Sequence, residues 1–324
     1  MKKIASFIAI GFLFLTSAAF ARQAAFSGEN YSISLNYNEI ASPGDAVFVR
    51  MKVSRSKAGK ADLSNAEAKL ELIVDGKSVR SSDFYALGKA KKEGKTMLTG
   101  IPLSSWWTKE NKCSLKITYT MANESKEFAL PFSLDNKSFI SETIKLNASN
   151  TAIKTDTSTK RMDQISKLNT ILETINPQNV YSTKAFVPPV ESTRRTSYFA
   201  DRRVFEYSNG NSSTSLHLGI DYGVPTGTEV HAPAEGKVVM AENRVSTGWS
   251  VVIEHLPGLY SLYYHMNELK VKKGDTVKAG TLLGYSGATG LATGPHLHWE
   301  VRLNLEAVSP DFFTTNFAFE PAGN

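Results

Sequence analysis

All six histidines of this 324-residue chain fall between positions 217 and 298. The most suggestive pair stands in Pro295-His296-Leu297-His298-Trp299-Glu300-Val301-Arg302-Leu303, where polar and apolar residues alternate. A strand repeats every two residues, so His296, His298, Glu300 and Arg302 share one face, and Leu297, Trp299, Val301 and Leu303 the other. The two imidazoles then stand ~6.6 Å apart at their bases and point the same way. One can bind a metal while its neighbour reaches the metal's water. Taken alone, His-x-His is more often the polar outer face of a strand. His217-Leu218-Gly219-Ile220-Asp221 offers an imidazole and a carboxylate, both good zinc ligands. On a helix they would share a face, but Gly219 and the following Tyr222-Gly223-Val224-Pro225 argue against a helix. The segment enters or forms a strand, and its backbone must bend to converge the two groups. In Leu262-Tyr263-Tyr264-His265-Met266, alternation sets His265 on the face of Tyr263, opposite Leu262, Tyr264 and Met266. His231 and His255 have no partner motif and read as structural or exposed.

The elements that must position these groups are strands. Residues 251–255, 260–266 and 296–303 are the clearest, in a glycine-punctuated region from 195 onward. Upstream, 31–37 alternates, Ser42-Pro43-Gly44-Asp45 is a turn, and 46–53 follows as a strand. Residues 70–74, Asp75-Gly76 and 77–80 read as a hairpin. With 114–120 and 127–134, about seven short strands suggest an immunoglobulin-like sandwich. Trp106-Trp107 reads as core or edge packing, with stacking on sugar rings as the alternative. Cys113, the single cysteine, reads as a buried small hydrophobe and excludes an intramolecular disulfide or a multi-cysteine zinc site within this sequence. Residues 146–160 are rich in Thr, Ser, Lys and Asn and read as a linker. Met162, Ile165, Leu168, Leu172 and Ile175 then recur at threes and fours, which predicts an amphipathic helix over 160–176, stopped by Pro177. Its stripe must be buried against a neighbour.

The ensemble is more specific than its parts. His217-x3-Asp221, then His265, then Gly294-Pro295-His296-Leu297-His298 stand in order. Around them are Gly219-Ile220-Asp221-Tyr222, Pro225-Thr226-Gly227-Thr228, Gly274-Asp275-Thr276-Val277 and Ser286-Gly287-Ala288-Thr289-Gly290. This set closely resembles the M23 family of zinc metallopeptidases, the lysostaphin-like or LytM-type peptidoglycan endopeptidases, over about residues 185–313. Ser197-Tyr198-Phe199-Ala200-Asp201-Arg202-Arg203 also looks like the family's first strand. The resemblance implies that His217, Asp221 and His298 are zinc ligands, one ion per domain, and that His265 and His296 are the catalytic histidines. It implies a peptidoglycan substrate. The departures are Ala200, where a glycine is common, Trp249, where an asparagine is common, and Met266, where a leucine is usual. None removes a ligand.

The expected organisation is a signal peptide over 1–21, a β-sandwich accessory domain over 22–145, a linker with one helix over 146–187, and an antiparallel β metallopeptidase domain over 188–324. The fold class is mainly β. Lys2-Lys3, an apolar run over 4–19 and Ala19-Phe20-Ala21 form the signal pattern, with cleavage expected after Ala21 and no membrane span left afterwards. The protein is expected to be exported, to the periplasm or cell envelope or into the medium. Residues 188–324 carry 11 basic and 14 acidic residues, and 22–187 carry 24 and 17. The basic half suggests an anionic envelope polymer or membrane surface, with a solvated face as the plainer reading. Nothing points to nucleic acid. Two other readings compete with an endopeptidase. One is a non-catalytic LytM-like regulator of a cell-wall amidase. The other is a secreted zinc protease acting on ordinary proteins. A further expectation is intramolecular inhibition, with the sandwich or the helix covering the groove.

Overall fold

A computed structural model describes residues 21–27, 30–57, 59–121, 124–315 and 317. The expected signal peptide lies outside the described residues except for Ala21. Among those described, no helix is long and apolar enough to cross a membrane. The chain divides into two compact units. The first takes in the described parts of 1–42, 47–101 and 107–136, and the second 43–46, 102–106 and the described parts of 137–324.

The first unit is built on two antiparallel sheets, with a short parallel pair of Ile40–Ala41 and Ser133–Leu134 beside them in sequence. One runs Ala21–Ser27, Tyr31–Asn38, Ala46–Arg55, Gly94–Pro102, Tyr85–Ala86, and the other Glu124–Pro131, Cys113–Met121, Glu67–Val74, Lys77–Asp83. Alternation along Tyr31–Asn38 buries Tyr31, Ile33, Leu35 and Tyr37, as the sequence pattern requires. The sheets meet through Phe26 stacked on Phe128 at 4.1 Å and Tyr31 edge-on to Tyr119 at 6.1 Å. Asp75 and Gly76 turn the expected hairpin with φ of 50° and 80°, the left-handed pair a two-residue turn needs. Cys113 is half-buried. Trp106 is 66% exposed, so it belongs to no core.

In the second unit an antiparallel sheet orders its strands Arg195–Ser197, Gly219–Tyr222, Leu297–Leu303, Leu259–Met266, Gly248–Leu256, Gly236–Arg244, Thr276–Val277, with Glu306–Val308 paired to Leu297–Leu303. Strand Leu259–Met266 is buried at every residue. Its Ser261 and Tyr263 face one way, toward His255, and Phe186 packs on His255 at 4.7 Å. Tyr260, Leu262 and Tyr264 face the other way, toward a helix.

Two helices, not one, lie in the connecting segment: α1 (Ala148–Thr155) and α2 (Thr159–Glu173). α1 falls where a linker was expected. Its polar sequence carries no apolar stripe. It is held by its cap, where Asn147 accepts from the Asn150 N–H at 2.8 Å, and by tertiary contacts such as Thr151 Oγ1 accepting from the Ser208 N–H at 3.0 Å. α2 starts at an N-cap, Ser158, which accepts from the Arg161 N–H at 3.3 Å. Leu168 and Leu172 are buried with Met240, Val252, Tyr260, Leu262 and Tyr264, and Ile171 packs beside them. The expected stripe is therefore shortened and turned. Met162 and Ile175 are exposed at 50% and 53%, Ile175 because the helix ends at Glu173 and it lies beyond the last turn.

Ahead of α1, strand Ser141–Lys145 pairs in parallel with Arg202–Glu206, which pairs in turn with Ser212–Leu216. The first compact unit ends at 136, and strand Ser141–Lys145 is paired within the second. Leu172→Ala is expected to destabilise the second unit by about 2–4 kcal/mol through the cavity it leaves. Met162→Ala is expected to change stability by less than about 0.5 kcal/mol. Urea unfolding of both variants checks the pair.

Candidate metal centre

The site begins as a register. Strands Gly219–Tyr222 and Leu297–Leu303 pair antiparallel with Asp221 opposite His298. His217 reaches the same point from just before its strand. The chain must pass very close to its neighbour there. A Cβ at position 219 would lie 2.3 Å from the Trp299 carbonyl oxygen and 2.8 Å from His298 Nε2, so only glycine fits. The expected bend between His217 and Asp221 is thus present, and Gly219 makes it sterically possible.

Three ligand-type atoms converge. His217 Nε2 is 3.0 Å from Asp221 Oδ1 and 3.0 Å from His298 Nδ1, and the latter two are 2.8 Å apart. All three residues are buried. Each offers one atom that could hold a metal ion. The remaining polar atoms fix how. His217 Nδ1–H donates to the Tyr198 carbonyl at 2.7 Å, leaving the Nε2 lone pair inward. His298 Nε2–H points at Glu300 Oε2, 3.4 Å away, leaving Nδ1 inward. This outer layer of carbonyl and carboxylate is what orients imidazole ligands in metal sites. Two imidazole nitrogens and one carboxylate oxygen, with no thiolate, suit a borderline divalent ion such as zinc, and three protein ligands leave a coordination position open.

The other two expected histidines stand beside this group. The His265 and His296 rings are 4.7 Å apart, and His296 Nε2 is 3.8 Å from Asp221 Oδ1. His265 Nδ1–H donates to the Thr289 carbonyl at 2.7 Å, and His296 Nδ1–H to the Gly294 carbonyl at 2.8 Å. Both rings thereby present Nε2 to the site. His265 does not lie on the face of Tyr263, as alternation predicts. Its φ is +61°, a left-handed kink at the strand end that turns the ring toward His298, 6.2 Å away. Tyr264 lies on this side as well, stacked on the His298 ring at 5.3 Å and 5°. The backbone strain at His265 places two consecutive side chains at one site. Ala200 also adopts positive φ, 64°, a conformation that glycine takes without strain.

Electrostatically the cluster centres on Asp221. Burial pushes its carboxyl up, but hydrogen bonds and charge from His217 and His298 outweigh this and hold it well below the ordinary value. Burial lowers His298, but Asp221 and Glu300 raise it to about 9. Burial lowers His217. Burial, with His296 and His298 nearby, takes His265 down to about 3. Without a metal, the site satisfies its two carboxylates with a proton on His298. That is the behaviour of a pocket built for a cation.

Sequence reasoning missed Arg203 and Glu142. Arg203 Nη2 donates to Asp221 Oδ2 at 3.0 Å, and Arg203 Nε donates to Glu142 Oε1 at 2.7 Å. Arg202-Arg203 gave no sign of which arginine turns inward, and Glu142 reaches the site only through strand pairing. His231 and His255 stay outside, as expected. His255 is buried, its Nδ1–H donating to the Glu235 carbonyl at 2.8 Å while Nε2 accepts from Ser261 Oγ at 2.8 Å.

The cluster opens into a groove of about 540 Å³. Pro295, Leu291 and Thr247 line it, together with Glu142, Ile144 and Lys154 of the connecting segment. No residue of α2 lines it, so the expectation that this helix covers the groove is corrected.

Residues 215–310 match the family model described as Peptidase family M23. The DD-carboxypeptidase/endopeptidase Mpg of Neisseria meningitidis serogroup B is 41% identical over 95 residues, 29% of this chain and 22% of that protein. The peptidoglycan DD-endopeptidase ShyA of Vibrio cholerae is 40% identical over 114 residues, 35% of this chain and 26% of that protein. The chain thus spans about a quarter of the length of these curated relatives. Among solved structures, a putative peptidase M23 from Pseudomonas aeruginosa is similar with a TM-score of 0.53 and 25% identity, over 86% of this chain and 96% of that one.

Two outcomes follow from the geometry. Metal uptake near neutral pH must expel the proton that His298 holds up to about pH 9. Affinity for zinc should therefore rise with pH up to that value and level off above it. Calorimetry in buffers of differing ionisation enthalpy should read about one proton released per ion near pH 7.5, and none released would contradict the electrostatics. Arg203→Gln frees Asp221 Oδ2 and should weaken zinc affinity by about 10–100-fold with the fold retained, read by competition with a chromophoric chelator.

Proposed function

We propose, for a chain whose residues 215–310 belong to peptidase family M23, that it is an exported zinc endopeptidase. It cuts amide bonds in peptidoglycan stem or cross-bridge peptides. The single observation that carries this reading is convergence. His217 Nε2, Asp221 Oδ1 and His298 Nδ1 meet within 3.0 Å, and the Nε2 atoms of His265 and His296 face the same groove. A structural metal site is closed by its ligands, whereas this one has room and bases beside it.

In this reading His217, Asp221 and His298 hold zinc, which supplies Lewis acidity toward the scissile carbonyl and the attacking water. His265 and His296 handle the protons. With its Nδ1–H donated to the Thr289 carbonyl, His265 presents an Nε2 lone pair that can take a hydrogen bond from the attacking water. The carbonyls of Thr289 and Gly294 keep both rings in the tautomer this needs. Tyr264 holds the His298 ring flat, and Arg203 with Glu142 fixes the carboxylate of Asp221. The intact ligand and base set supports catalysis over a purely regulatory role. The DD-endopeptidase names of Mpg and ShyA support a D-alanyl bond to a diamino acid as the cleaved linkage. Export through the 1–21 signal and a location in the periplasm or cell envelope fit that substrate. The basic residues of 22–187 supply a complement to an anionic wall polymer.

Digestion of purified sacculi, with muropeptides identified by mass spectrometry, tests the proposal. The zinc-loaded chain should release cross-link fragments, and a chelator should stop release. His298→Ala should lose zinc and activity together. His296→Ala should keep zinc and lose activity by about 10²–10⁴-fold. Absence of any fragment from the zinc-loaded chain, or an active His298→Ala protein, would overturn the assignment.

A further inference from the structure

The charged side chains that line the groove beyond the histidines are Glu142, Lys154, Arg203, Asp221 and Glu300. Nearly all are committed to one another. Arg203 pairs with both Glu142 and Asp221, and Glu300 pairs with Arg302. Lys154 is different. It stands in the last turn of α1, and its Nζ lies 4.1 Å from the centroid of the Phe205 ring. Among the described residues it makes no hydrogen bond or ion pair. The charges that act on it are the cations Arg161 and Arg203, and with burial they lower its ammonium below the ordinary value. A half-buried cation with cationic neighbours and no anion has only the Phe205 ring face and the C-terminal end of α1 to compensate it within the fold. It faces the groove that holds the metal centre.

We propose that Lys154 anchors a carboxylate of the bound peptide, and so gives the groove a preference for acidic peptides. The inference rests on the peptidase reading and deepens it by naming what the substrate must carry. A carboxylate at Lys154 forms a charge-assisted hydrogen bond in a partly dry site, where such bonds are strongest. It also offsets the repulsion from Arg161 and Arg203. The face of Phe205 holds the ammonium in place through its ring quadrupole, so little side-chain freedom is lost on binding. The peptide would then lie between Lys154 of α1 and the pair His265 and His296. Lys154 precedes the segment that matches the family model, so this specificity would belong to the connecting segment.

The test is fluorescence anisotropy with the zinc-loaded full chain and two rhodamine-labelled peptides of sequence L-Ala–γ-D-Glu–L-Lys–D-Ala. One has its carboxylates free and the other has them amidated. The wild type should bind the free-acid peptide about tenfold more tightly. Lys154→Met keeps the aliphatic stem on Phe205 and should bind the two peptides equally. Lys154→Arg should retain the preference. A wild type without preference, or binding neither peptide, overturns the proposal. So does an unchanged preference in Lys154→Met, which would reduce Lys154 to a helix-end cation packed on an aromatic ring. If Lys154→Met fails to fold, loss of preference in Lys154→Gln serves in its place. Anisotropy needs no turnover, so the outcome is separate from sacculus digestion. Carboxylate-dependent binding without cleavage would leave this inference standing and remove the peptidase reading, and cleavage without carboxylate preference would do the reverse.

Discussion

A carboxylate taken out of water has to be compensated on every side, and in this protein that carboxylate is Asp221. One oxygen accepts from the protonated His298 with His217 Nε2 3.0 Å away, and the other accepts from Arg203, which is tied in turn to Glu142. Each partner comes from a different part of the second unit. His298 stands across a strand pair, His217 before a bend, Arg203 on a neighbouring sheet and Glu142 on a strand added in parallel. Satisfying one buried charge thus fixes the relative placement of four segments. Once His298 gives up the proton it shares with Asp221, the same placement leaves two imidazole lone pairs and one carboxylate oxygen directed at a common point, a donor set that suits a catalytic divalent ion.

The sheet beneath makes this precise placement affordable. Strand Leu259–Met266 is buried along its whole length, with α2 on one face and the His255–Ser261–Tyr263 hydrogen-bond chain on the other. A platform packed on both faces holds a left-handed residue at its end without fraying. His265 uses that support. Its strained φ turns its ring to the site beside Tyr264, whereas a regular strand would send the two to opposite faces.

What could be read from the sequence follows how locally each feature is encoded. His296 and His298 were legible because period-two alternation is a property of neighbouring residues. His217-x3-Asp221 was legible as a pair of ligand types with a required bend, and Gly219 is the residue that permits it. The face of His265 was misread because alternation assumes ordinary strand angles. Arg203, Glu142 and Lys154 reach the site through pairing and helix docking, so no spacing rule exposes them. α1 was hidden for a related reason, since its polar sequence is held by a cap and tertiary contacts. Met162 and Ile175 fit the helical period yet remain exposed: Met162 because periodicity marks a face and not the extent of its partner, Ile175 because the helix stops at Glu173. The segment over 137–187 proves to be more than a tether. It lines the groove and supplies, through Glu142, part of the support for Asp221.

The central claim is that one metal ion sits between His217, Asp221 and His298, with a coordination position facing the groove. Anomalous diffraction at the zinc edge from crystals of the zinc-loaded protein tests it directly. The account predicts one strong peak per chain, bonded to His217 Nε2, Asp221 Oδ1 and His298 Nδ1, with solvent completing the shell. A peak held by other residues, or no peak at this cluster in protein that carries zinc, would contradict it.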